Sequence, residues 1–144
     1  MKKILCSLSL LLVAPHAALL SKTCNTNPNC SVKCASLPIL SVPYTVSQPG
    51  HYLVPKNLTY TGALNAITVA DIDNVTIEFC DGAQLTTTNP AAIGINISGA
   101  TNVDVLNATL VGTLAEEIFG RGIVVNLSDN VTIKNASITD YNIN

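Results

Sequence analysis

Two short motifs each occur three times along this chain, and both keep a spacing of 28 residues. Asn74-Val75-Thr76-Ile77 returns as Asn102-Val103-Asp104-Val105 and again as Asn130-Val131-Thr132-Ile133. Ahead of them, Ala66-Ile67-Thr68-Val69 returns as Gly94-Ile95-Asn96-Ile97 and as Gly122-Ile123-Val124-Val125. Strands of an antiparallel sandwich have no reason to copy one another. A chain wound into equivalent coils does, because each coil rests on a neighbour of the same shape. The period predicts a solenoid.

Successive residues of a strand point to opposite sides, and alternation sorts the repeats into faces. The inward columns are Ile67/Ile95/Ile123, Val69/Ile97/Val125, Val75/Val103/Val131 and Ile77/Val105/Ile133, all β-branched and aliphatic. A third run completes the coil: Ala83 and Leu85, then Ala108 and Leu110, then Ala136 and Ile138. Its first copy sits three residues out of phase (83 to 108 is 25), which places an inserted turn at Cys80-Asp81-Gly82. The longer loop at 112–121 recovers the difference. Three short strands per coil, separated by Gly, Asn and Asp turns, describe an all-β parallel β-helix with coils of about 28 residues. Like residues then stack ~4.8 Å apart. Asn74, Asn102 and Asn130 form one corner column and Asn107 and Asn135 another, where amides bond one another and the turn backbone.

The chain before the coils is of a different kind. Residues 1–21 read as a secretory signal: Lys2 and Lys3, an apolar stretch from Ile4 to Val13 too short to span a bilayer, then Ala14, Ala17, Ala18 and Ser21. An uncleaved anchor is the alternative; after cleavage no membrane segment is expected, and the protein is secreted, periplasmic or on the cell surface. In that oxidising setting Cys24, Cys30 and Cys34, in a linker at 22–40, form with Cys80 an even set of disulfide candidates of open connectivity. A zinc site is the alternative, though the spacing matches no common ligand pattern and no His is near. Residues 41–65, broken by Pro43, Pro49, Gly50 and Pro55 and lacking the markers, read as an irregular N-terminal cap that buries Val46, Tyr52, Val54 and Leu58. The coils occupy 66–144, the last incomplete, so the C-terminal end is expected to be continued by further coils or covered by a partner.

The run Gly-Ile-x-Ile/Val, then Asn-Val-Thr-Ile, then Asn135-Ala136-Ser137-Ile138 resembles the right-handed parallel β-helix repeat family, the pectin-lyase-like superfamily. Val46-Ser47-Gln48-Pro49-Gly50-His51-Tyr52-Leu53-Val54, followed by Asn57-Leu58-Thr59, is similar to that group's opening cap. The resemblance covers residues 41–144 and implies a right-handed coil with a polysaccharide or cell-surface glycan as partner. Its members include polysaccharide lyases and hydrolases, tail-spike proteins, adhesins and catalytically silent proteins, so fold alone does not select an activity. The polygalacturonase-like hydrolases carry Asp-rich motifs and Gly-His-Gly; here His51 is the sole His beyond the signal and no Asp-Asp pair occurs. The pectate-lyase-like members need a calcium-binding carboxylate cluster and a basic residue.

Seven Lys and Arg, scattered against nine Asp and Glu, make no patch able to neutralise a phosphate backbone, which argues against nucleic acid. Asp71 and Asp73 are candidates for a Ca2+ site with neighbouring carbonyls. Asp73 also shares an outward column with Thr101 and Asp129, two coils and about 9.6 Å apart at its ends, a separation an inverting carboxylate pair would use; Asp before a corner Asn is equally ordinary turn chemistry. The loop carrying Glu116, Glu117, Phe119 and Arg121, the one Arg of the chain, is the candidate carbohydrate-binding segment. A solvated loop with Glu117 and Arg121 paired is the plainer reading. The outward sets Thr68/Asn96/Val124, Thr76/Asp104/Thr132 and Gln84/Thr109/Ser137 suit a glycan-contacting face or simple solubility. The expected function is a non-catalytic carbohydrate-binding or structural module, the alternative being the N-terminal part of a lyase or hydrolase acting on pectin-like polymers.

Overall fold

The computed structural model describes residues 36–115 and 120–141. The expected signal, Cys24, Cys30 and Cys34 of the linker, and Glu116, Glu117 and Phe119 of the loop lie outside these residues. Every regular element among the described residues is a strand. Ahead of the repeats come β1 (Leu37–Pro38), β2 (Tyr44–Thr45), β3 (Gly50–Val54) and β4 (Leu58–Tyr60). The first repeat forms β5 (Asn65–Ala70), β6 (Val75–Phe79) and β7 (Leu85–Thr87), and the second forms β8 (Ile93–Ser98), β9 (Thr101–Leu106) and β10 (Thr109–Val111). The third forms β11 (Arg121–Asn126), β12 (Asp129–Lys134) and β13 (Ser137–Thr139).

All pairings are parallel and sort the strands into three sheets: β1-β3-β6-β9-β12, β2-β5-β8-β11 and β4-β7-β10-β13. The chain visits each sheet once per turn, winding a parallel β-solenoid of about 3 turns. The register joins Ile67 to Ile95 to Ile123, and Val69 to Ile97 to Val125, on the second sheet. On the first it joins Val75 to Val103 to Val131, and Ile77 to Val105 to Ile133. Leu85, Leu110 and Ile138 align on the third. Ile67, Val69, Ile95, Ile97, Val103, Val105 and Leu110 are all 0% exposed, so the columns fill a dry interior. Burial of that apolar area is the main stabilising term, at roughly 25 cal/mol per Å².

Residues 41–62 depart from the expectation that they are too irregular to form a coil. β2, β3 and β4 pair with the first repeat through Tyr44↔Ile67, Tyr52↔Ile77 and Leu58↔Leu85. The offsets are 23, 25 and 27 residues (67 − 44, 77 − 52, 85 − 58), so this coil escapes the 28-residue period while obeying the same ladder. Parallel pairing asks for alternation and backbone donors, not for marker sequences. Val46, Tyr52, Val54 and Leu58 are buried as expected, and β1 adds an outer strand to β3.

The corners need backbone that most residues resist. Asn74, Asn102 and Asn130 have φ of 57, 59 and 52°, and Asn107 and Asn135 have 57 and 54°. Asn tolerates this left-handed region better than other non-glycine residues. Its side chain then does further work, since Asn102 Nδ2 donates to Asn74 Oδ1 at 3.1 Å and Asn135 Nδ2 to Asn107 Oδ1 at 3.2 Å. Asn130 donates likewise to Asn102. Gly82, φ 76°, takes the corresponding corner in the first repeat, inside the inserted turn closed by Ala83 N–H donating to Cys80 C=O.

At the lower end the columns surface. Val125, Ile133 and Ile138 are each 44% exposed. One aromatic partly closes this end: Tyr141 is buried and accepts a hydrogen bond from Thr87 Oγ1 at 3.0 Å, reaching two coils up. Gly94 and Gly112 leave it room. A Cβ on Gly112 would lie 2.8 Å from Tyr141 Cγ, and one on Gly94 3.2 Å from its hydroxyl.

Candidate functional site

Three outward regions carry polar side chains in register. The first is the outer surface of the third sheet. Pairing of Leu58, Leu85, Leu110 and Ile138 aligns their outward neighbours, so Thr59, Thr86, Val111 and Thr139 form one column. Asn57 and Gln84, just ahead of β4 and β7, line up with Thr109 and Ser137, the first residues of β10 and β13, as a second. Gln84 is held in place: its amide donates to Thr86 Oγ1 at 2.8 Å, and its backbone N–H donates to Asn57 Oδ1 at 3.1 Å. The result is a strip of hydroxyls and amides at the ~4.8 Å strand spacing, broken only where Val111 stands in the first column.

The second region is the corner between the second and first sheets. Asp73 Oδ1 accepts the Thr101 N–H at 2.7 Å, which gives its carboxylate a turn-capping task in the next coil. Asp71 adopts φ 54° and stacks with Gly99 at 60° and Leu127 at 50°, each 28 residues on. A Cβ on Gly99 would collide with the Asp71 carboxylate, so glycine there admits a close approach. Asp129 aligns with Thr101, completing the outward column with Asp73. Among the described residues, no group of three or more His, Cys, Asp and Glu is arranged to hold a metal ion. Arg121 is exposed at the head of β11 and paired to Ile93, away from this corner in sequence and sheet position.

The third region lies on the outer face of the first sheet and has no sequence signature. β1 pairs Leu37 with Tyr52, which sets Ser36 level with His51; β3 pairs Leu53 with Glu78 on β6. Ser36 Oγ lies 2.7 Å from His51 Nδ1, and His51 Nε2 lies 2.8 Å from Glu78 Oε2. Glu78 is 8% exposed, whereas Ser36 and His51 are partly exposed. His51 is therefore not an isolated cap residue. The signal that could have exposed it is geometric: 51 and 78 are 27 apart, close to one coil, so both fall on one face. Ser36 was beyond reach because β1 belongs to no repeat. On the same outward side Leu53 and Cys80 are 1% and 3% exposed, and the Cys80 sulfur is in a disulfide; its three candidate partners lie outside the described residues.

The geometry defines the class as a three-sheet parallel β-solenoid. No protein-family model and no curated protein sequence matches this chain.

Proposed function

We propose that this is a secreted or cell-surface β-helix module of the pectin-lyase-like kind, whose work is to bind a glycan or support a surface assembly. The periplasm is the third setting compatible with its leader and cysteines. The observation that carries the reading is the pair of polar columns on the third sheet. Sugars present hydroxyls at close, regular intervals, and a rigid strip of Thr, Ser, Asn and Gln offers matching donors and acceptors with little ordering cost. The exposed Arg121 and the adjoining Glu116, Glu117 and Phe119 supply further contacts in this reading.

Affinity electrophoresis through gels containing neutral or acidic polysaccharides tests it. Retardation that falls about tenfold in a Thr86→Val/Thr109→Val/Ser137→Ala variant supports the reading; no retardation in any gel, or retardation indifferent to the triple change, contradicts it. Release of unsaturated or reducing sugar from pectin-like polymers would instead favour a lyase or hydrolase, and a calcium requirement would implicate Asp71 or Asp73.

A further inference from the structure

We propose that Ser36, His51 and Glu78 form an acyl-transfer site for esters of small carboxylic acids presented on a polymer or surface. The inference stands on these three side chains and holds whether or not the hydroxyl columns take a glycan. They line up as a serine nucleophile, its base and the group that orients the base, with Nδ1 facing the serine and Nε2 the carboxylate, the reverse of the usual assignment of the ring nitrogens. An ionised Glu78 can only accept, so the nitrogen facing it carries the proton and the other keeps its lone pair for the Ser36 hydroxyl. This ring orientation puts a nitrogen on each partner, whereas the flipped ring would present carbons to both.

A purely structural clasp between β1 and the sheet is the plainer account, and two features speak against it. The ladder column containing Glu78 has Leu53 above and Leu106 below, so leucine fits this place. A buried carboxylate is tolerated only when paired and hydrogen-bonded, whereas a leucine needs no partner. Exposure also separates the groups, with Glu78 buried and Ser36 and His51 both partly exposed. With Leu53, Glu78 and Cys80 buried on this face and Ser36 and His51 only partly exposed, little room is left around the hydroxyl, and a small acyl group suits that space.

In the reaction, Ser36 Oγ attacks the ester carbonyl carbon as its proton passes to the free nitrogen of His51. The bond to the alcohol oxygen breaks, and the alcohol leaves with that proton. Water then attacks the acyl-serine, passing its proton through His51 to Ser36 Oγ as the carboxylic acid departs. No oxidant or reductant is required. Ser36 and His51 are the catalytic residues, and Glu78 is a positioning residue.

The test treats the full-length chain with a fluorophosphonate probe, maps the adduct by mass spectrometry, and measures hydrolysis of p-nitrophenyl acetate. The proposal requires a single adduct on Ser36, lost in Ser36→Ala, and labelling slowed at least about a hundredfold in His51→Gln. Glu78→Gln slows it as well, and Glu78→Asp, which keeps the carboxylate, recovers part of the rate. Melting temperatures show which variants fold. If Glu78→Gln does not fold, Ser36→Cys takes its place, with thiol alkylation faster than in the Ser36→Cys/His51→Gln double variant. A folded protein with no Ser36 adduct, or with equal rates in wild type and His51→Gln, overturns the proposal.

Discussion

Leu127 is the residue most at odds with its position. It holds φ 50° while 88% exposed, in the corner column where the coil above has Gly99. A leucine there pays the left-handed penalty of roughly 1–2 kcal/mol without gaining burial. Leu127→Asn should raise stability by about 1 kcal/mol, measured by urea unfolding. Tyr141 gives a second residue-scale expectation. Burial raises its pKa above the ordinary 10.0, and the Thr87 hydrogen bond opposes that only in part. The unfolded chain therefore loses this proton first. Stability is unaffected below pH 10 and falls as pH rises from 10 through the folded-state value. Tyr141→Phe should remove that part of the alkaline loss and cost about 1 kcal/mol at neutral pH, because Thr87 Oγ1 loses its partner. Tyr52, raised for the same reason with Tyr44 adding to it, keeps the remaining alkaline sensitivity.

Strands in one column share chemistry but not surroundings. Val69 and Val125 occupy the same ladder, joined through Ile97, yet Val69 is 0% and Val125 44% exposed. Val69→Ala should cost about 2–3 kcal/mol through lost transfer and a cavity. Val125→Ala should cost about 1 kcal/mol or less by the same urea measurement, since its site is half open already. The columns were legible in the sequence because a stacked coil must place like residues over like, and the 28-residue markers state that directly. The Asn corners were legible for the same reason. The coil formed by β2, β3 and β4 was not, since its offsets of 23, 25 and 27 conceal the ladder. Nor was the Ser36–His51–Glu78 cluster, in which every contact joins residues that share a sheet face but no motif. Tyr141 was missed because it replaces a repeat position, equivalent to Thr113, with a residue of different size and direction.

At the scale of the whole molecule, the solenoid is a ruler whose outward faces present polar groups at the strand spacing and whose lower end presents apolar columns. Among the described residues β11, β12 and β13 pair on one side only, and their other edges beside exposed Val125, Ile133 and Ile138 are a template for further strands. The central claim is the parallel, in-register stacking that produces all of this. Thr76 and Thr132 test it most directly, because both pair with Asp104 from opposite sides and so stand two ladder steps apart, about 9.6 Å. Spin labels attached at these two positions through genetically encoded keto residues leave the native cysteines untouched. The stacked coil predicts strong dipolar broadening in the frozen continuous-wave spectrum; a spectrum equal to the sum of the two singly labelled proteins would contradict it.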